Sequence, residues 1–467
     1  MTKPLPPMLS GGLPVFGHAL EMLGNREKLF KRGHAEKGDL FAIKLGPKNV
    51  VVITGAENNR MMYTETDKSL NMQDGYAFLK KSVGEVLFTA SKEDYYNQRP
   101  VLQEIFRRER MTSYVQAMNI EVQRWLDSLG KTGEIDITKE MLRLTQYVAG
   151  HAFVGANFQA ELGEDFWECY ADISASLDPI LPPNLPLPKF IRRDRARKVI
   201  YSRLESVIRT RRQNPDRYDD LITALMTTPL KDGSLIPDEL IINMFIAFIF
   251  AGHETTAGQA AWLIALLLQH PAYLEQLKSE IHANAPYGTA LDGATLSRLE
   301  HVYMAIDETT RMRPSADTQI RTVDQPLDMG DYEIPAGWMM MVSGATSHFL
   351  PDVFKNPERF DPLRFSAERG EGKNPFAIVG FGGGMHKCTG MNFAKNEMAI
   401  ITTLLFQQFD VQLLSEDIRV VMGNGANHPS AVRVRYQRKP LSELTDAATI
   451  KAAVEGGCPH ITRQVTP

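Results

Sequence analysis

The apolar positions of this chain recur with helical spacing along most of its length, and only short stretches alternate as strands do. Leu40 to Leu45 and Val50 to Ile53 are two such stretches, and Gly46-Pro47-Lys48-Asn49 between them is a hairpin signal. Trp338 to Val342 is strand-like further on, as is Val432 to Tyr436, and Gly423 to His428 reads as a hairpin tip. Ahead of the first hairpin, a proline-set segment from Leu5 to His18 leads into a helix predicted from Ala19 to about Glu36. The longest apolar helix opens at Pro237-Asp238-Glu239, where proline suits the first turn and two acids meet the positive end of the dipole. It continues to about Gln269, roughly 50 Å. The predicted fold class is mainly α with a small β-rich subregion.

Within that helix, Met244 to Phe250 is apolar enough to tempt a membrane-spanning reading. His253-Glu254-Thr255-Thr256 breaks the run short of the ~20 residues a span needs, so a helix through the middle of a globule is expected. Ala251, Glu254 and Thr255 fall at i, i+3 and i+4, on one face. A carboxylate beside a hydroxyl on a buried face is costly unless it does chemistry. Asn71 to Val86 lacks clean periodicity and reads as a loop. Asp178 to Pro188 is too rich in proline for a helix, yet greasier than a linker. We read it as a lid over a substrate entrance, followed by the basic run Arg192 to Lys198. Met339, Met340 and Met341 read as core filler.

Composition narrows the class. A net charge of −4 shows no nucleic-acid footprint. Three cysteines, Cys169, Cys388 and Cys458, are too few and too far apart for a disulfide framework, which fits a reducing compartment. Met1 to Gly17 is rich in proline and glycine and has the pattern of neither a signal peptide nor a membrane anchor. A cytoplasmic protein, peripheral to a membrane at most, is expected.

The sharpest signal is Phe381-Gly382-Gly383-Gly384-Met385-His386-Lys387-Cys388-Thr389-Gly390, just before a helical run from Met391. Glycines allow a tight turn and free amide groups to point at sulfur. The helix N-terminus favours thiolate over thiol. Phe381, Gly384, His386, Cys388 and Gly390 resemble the haem-binding loop of the cytochrome P450 superfamily, with His386 in place of the more usual arginine. Ala251-Gly252-His253-Glu254-Thr255-Thr256 resembles the same family's oxygen-activation signature. Glu308-Thr309-Thr310-Arg311, Asn356-Pro357-Glu358-Arg359-Phe360 and Tyr95-Tyr96-Asn97-Gln98-Arg99 follow its other signatures in order. The resemblance covers about residues 5–436 and is nearest to sterol 14α-demethylase-like bacterial members. It implies the cytochrome P450 fold, with residues 1–440 as one domain and 441–467 as a C-terminal extension.

The same resemblance implies the site. Cys388 would be the axial thiolate of haem b and the metal ligand, with Phe381 and Gly390 around it and His386 bonding a propionate. Tyr76, Arg99, Ala251 and Arg321 would meet the haem. Glu254 would relay protons and Thr255 would hold dioxygen and water. Phe78, Phe245, Phe250, Thr318 and Gln319 would line the substrate pocket, Asp317 beside them. Glu308, Arg311 and Arg359 would form a buried ion network beneath the haem. Arg107, Arg108 and Arg110 read either as a solvated face or as a docking surface for an acidic donor. No flavin or iron–sulfur motif is present, so electrons would come from a ferredoxin or flavodoxin system. The implied activity is hydroxylation of an apolar terpenoid, steroid or lipid by a monomeric monooxygenase. Sterol 14α-demethylation proper and a haem-thiolate isomerase or dehydratase are the alternatives, as is a non-catalytic haem sensor. Demethylases usually carry histidine where this chain has Glu254, which favours a hydroxylase.

Overall fold

The computed structural model describes residues 3–178, 181–423 and 425–444. Cys458 and most of the extension lie outside the described residues, as do Pro179, Ile180 and Asn424. Helices dominate, and four small sheets carry the strands. The core helix, Asp238–Gln269, starts one residue after the predicted proline and keeps the predicted end. Most of its residues are buried, which its apolar composition requires in water. His253 is buried with them. Its Nε2 lies 2.9 Å from the Leu142 carbonyl, tying the core helix to Ile137–Val154. Burial lowers its pKa, so the ring is held neutral.

The largest sheet runs Leu40–Leu45, Lys48–Ile53, Met339–Ser343, Thr318–Val323, Leu70–Asn71 in spatial order. The predicted hairpin forms, with Leu40 opposite Ile53, and its second strand pairs in parallel with the methionine strand. All three methionines are buried. The first helix, Ala19–Lys37, is broken at Asn25 rather than continuous. Asn25 accepts the Lys28 N–H at 2.9 Å through its side chain, which caps the second half. The hairpin near the C-terminus pairs Val420–Met422 with Asn427–Pro429. It lies against the core helix, where the Asn427 carbonyl would be 2.6 Å from a Cβ at Gly258.

Candidate active site

The glycine loop is shaped by what lies under it. Gly382 and Gly384 have φ of 69° and 63°, a region that suits glycine. A Cβ on Gly384 would sit 2.8 Å from the Tyr63 carbonyl oxygen, so the loop lies directly on the helix Ala56–Glu65. The Cys388 N–H donates to the Phe381 carbonyl at 2.8 Å and closes the turn. The helix Met391–Gln408 then begins, with Gly390 as its N-cap. The Cys388 side chain is surrounded by protein yet reached by solvent. Burial pushes its thiol up, and the Gly390 N–H and the Lys387 charge oppose that.

Across from it, the core helix touches the loop's supports at two levels. Phe248 meets Phe106 edge-on at 6.0 Å, and Phe106 approaches the Cα side of Gly390. Gln259 accepts the Thr310 hydroxyl at 3.3 Å, and Thr310 packs on Gly380. Between those levels one stretch of the helix surface, at Ala251, Gly252 and Thr255, is left open. Ala251 is exposed, Glu254 and Thr255 are half-exposed, and a Cβ on Gly252 would meet nothing within 4 Å. A gap therefore lies between the core helix and the cysteine loop. The Thr255 hydroxyl donates to the Ala251 carbonyl at 2.6 Å. Phe250 is half-buried at the gap, and Phe88 links it to Tyr76 with centroid separations of 6.4 and 5.7 Å. Phe78, like Tyr76, lies on the short 3-10 helix Asp74–Leu79, which runs on into the helix Lys80–Val83 where a loop was expected, and it is half-buried.

Two arginines singled out by the sequence have no anionic partner among the described residues. Arg321 is buried, and its donors reach the Thr66 hydroxyl at 3.1 Å and the Ile320 carbonyl at 2.8 Å. No carboxylate pairs with it among the described residues. Arg99, one turn beyond Tyr95 on the helix Lys92–Ile105, makes no hydrogen bond or ion pair among the described residues. A buried guanidinium without a counter-charge is costly unless an anion arrives. The free sulfur, the gap and these arginines together fit a dianionic, iron-bearing planar group such as haem.

Several expectations need correction. His386 was expected to serve a propionate, but its Nε2 lies 2.8 Å from the Asp67 carboxylate, and Tyr95 stacks on the ring at 4.1 Å. Burial would raise the Asp67 pKa, but bonds from His386 and the Tyr96 hydroxyl outweigh it and hold the carboxyl low. Gln319 does not face a pocket: its amide donates to the Val379 carbonyl at 2.7 Å and accepts the Tyr63 hydroxyl at 3.1 Å. Strand alternation puts it on the Arg321 face, with Thr318 on the other. Asp317 is drawn instead to Arg26, at 2.6 Å. Phe245 is fully buried against Phe153 and Phe166, away from any opening. The ion network contains Glu308, Arg311 and Arg364, not Arg359. Arg311 and Arg364 reach Glu308 at 2.7 and 3.0 Å with all three side chains wholly buried. Arg359 is exposed and offers only its carbonyl. The clue was legible: Pro362-Leu363-Arg364-Phe365 repeats the Pro-x-Arg-Phe pattern of Pro357-Glu358-Arg359-Phe360 five positions later.

The cytochrome P450 family profile matches residues 6–431. This chain belongs to the cytochrome P450 family. It is 29% identical to a sterol 14α-demethylase of Mycolicibacterium vanbaalenii over 87% of this chain and 91% of that protein. It is 28% identical to a sterol 14-demethylase of Arabidopsis thaliana over 94% and 93%. The solved structure of retinoic acid-bound cyanobacterial CYP120A1 superposes with a TM-score of 0.85 at 27% identity, covering 94% of this chain and all of that one. As a P450, the protein is a haem-dependent monooxygenase that draws electrons from redox partners and acts on apolar substrates. Its core helix is the one helix among the described residues long and apolar enough to cross a membrane, and most of it is buried in the protein.

Proposed function

We propose that the protein hydroxylates a terpenoid, steroid or long-chain lipid, using haem b held by Cys388 and electrons from a separate ferredoxin or flavodoxin system. The observation that supports this is the solvent-reached Cys388 sulfur, in a loop whose supports touch a core helix that leaves Ala251, Gly252 and Thr255 open. Bound there, haem would supply oxygen activation, which the thiolate favours. The chain's own groups do the rest. Gly390 donates to the sulfur and favours its anionic form. Arg99 and Arg321 supply the charge that two propionates need. Tyr76, Phe381 and the Asp67–His386 pair would border the group's edge. Thr255 and Glu254 hold a hydroxyl and a carboxylate on the face where protons are consumed, which distinguishes a monooxygenase from a thiolate isomerase or a sensor.

Apolar Phe78 and Phe250, with Thr318, support a largely apolar substrate with one polar anchor. Sterol and retinoid ligands of the similar proteins point the same way. Leu181 and Leu185, exposed in the proline-rich connection, support a lid that meets lipid-like molecules. Arg108 has no ion-pair partner among the described residues, whereas Arg107 pairs with Glu104 and Arg110 with Asp219, and it is the better candidate for a donor contact. The Glu308–Arg311–Arg364 network would support haem retention rather than chemistry. The test is a reconstituted reaction with NAD(P)H, a ferredoxin system and panels of sterols, terpenes and fatty acids. Hydroxylated product formed in step with cofactor oxidation is expected. Product without oxygen consumption, or haem binding without donor-dependent turnover, overturns the reading.

A further inference from the structure

The Glu254 carboxylate does not point into open space. Its Oε1 accepts the Ser174 hydroxyl at 2.6 Å, and its Oε2 accepts the Gly425 amide at 3.2 Å. Ser174 is the buried last residue of the helix Phe166–Ser174. Gly425 belongs to the hairpin that pairs Val420–Met422 with Asn427–Pro429. One side chain of the core helix thus joins two elements that close over it from different parts of the chain. The fit at Gly425 is tight: a Cβ there would come within 2.8 Å of the Phe250 ring and 3.2 Å of Glu254 Oε2. The hairpin is registered on the helix just beyond. The Asn427 N–H donates to the Ser315 carbonyl at 2.9 Å, and the Ser315 hydroxyl donates to the Thr255 carbonyl at 2.9 Å. One turn before Ser174, the buried Tyr170 hydroxyl faces both Ser174 and the Glu254 charge; burial first, and that charge second, push its pKa up. That face of the helix carries a second hydroxyl next to the carboxylate's partner.

We propose that Ser174 and the Gly425 amide are positioning groups for the Glu254 carboxylate, so that proton supply depends on the Phe166–Ser174 helix and the hairpin being closed on the core helix. This rests on Glu254 serving as the proton carrier. Hydrogen bonds to an ionised carboxylate are short and strong, and two of them fix both oxygens. A carboxylate held in this way keeps one orientation, and of its two partners only the Ser174 hydroxyl can pass a proton on. Released, it turns freely toward whatever water is present, and the timing of supply is lost.

Hydrogen exchange of the resting, haem-loaded protein and coupling during turnover test this together. Ser174→Ala should speed amide exchange in the 420–429 hairpin about tenfold, the scale of one bond to a charged group. In the reconstituted reaction it should also release more peroxide per product. Ser174→Thr keeps the hydroxyl and should restore both. Gly425→Ala should reproduce both changes from the other contact. If Ser174→Ala leaves exchange and coupling unchanged while Glu254→Gln uncouples, the positioning role is overturned and the proton carrier stands. Faster exchange with intact coupling also overturns it, because the contact is then structural alone. Fully coupled turnover in Glu254→Gln overturns the carrier and, with it, this proposal.

Discussion

Arg359 and Arg364 show how far a single residue's chemistry can be read before its surroundings are known. Both sit in a Pro-x-Arg-Phe string, and only burial separates them. Arg364 is wholly buried on Glu308 and also meets Glu371 at 2.6 Å, whereas Arg359 faces solvent. Arg364→Leu should therefore destabilise the protein by about 3–5 kcal/mol, because it leaves the buried Glu308 with Arg311 alone and takes from Glu371 its one buried cation. Arg359→Ala should change stability by less than ~0.5 kcal/mol. Denaturant unfolding of the two variants checks the contrast, and equal losses would contradict it. Thr318 and Gln319 divide in the same way. The Thr318 hydroxyl makes no hydrogen bond among the described residues, so Thr318→Val should shift the product distribution with little effect on stability. Gln319→Leu leaves the Tyr63 hydroxyl without its acceptor and the Val379 carbonyl with the Gly382 N–H alone, a loss of about 1–3 kcal/mol, and should lower stability. Product analysis beside thermal melts separates the two.

Periodicity and capping signals located the elements well. The core helix, the first hairpin and the methionine strand lie where the apolar pattern put them, because each buries what its period displays. The joints between elements were not legible. His348 is one. It is wholly buried, with Nδ1 2.8 Å from the Arg311 carbonyl and Nε2 accepting the Val379 N–H at 2.8 Å. It thereby fastens the ion-network helix, Glu300–Met312, to the irregular segment leading into the cysteine loop. Nothing local in the sequence marks such a role. Burial, the main cause, lowers its pKa to about 4. In the unfolded chain the ring takes a proton below its ordinary value of 6.5, and in the folded protein only near 4. The unfolded state therefore binds more protons in that window, and stability falls as pH drops through it. The full effect is about 3 kcal/mol. His348→Asn should flatten this slope between those pH values in denaturant titrations, and an unchanged slope would contradict the assignment.

For the molecule as a whole, the cysteine loop and the Ala251–Thr255 face were readable because each is a contiguous string. Their opposition across one gap was not, since it depends on Phe106 and Thr310 spacing the walls. Asp67, Ser174 and Gly425 were missed for the same reason: each acts on a partner distant in sequence, and none stands in a motif. The central claim is that the Cys388 sulfur holds haem iron as a thiolate within that gap. Reduction under carbon monoxide tests it most directly. The wild-type protein should give the long-wavelength Soret band from which the family takes its name, and Cys388→Ser should lose both that band and turnover. A wild-type protein that retains haem without the band, or a Cys388→Ser protein that still turns over, would contradict the account.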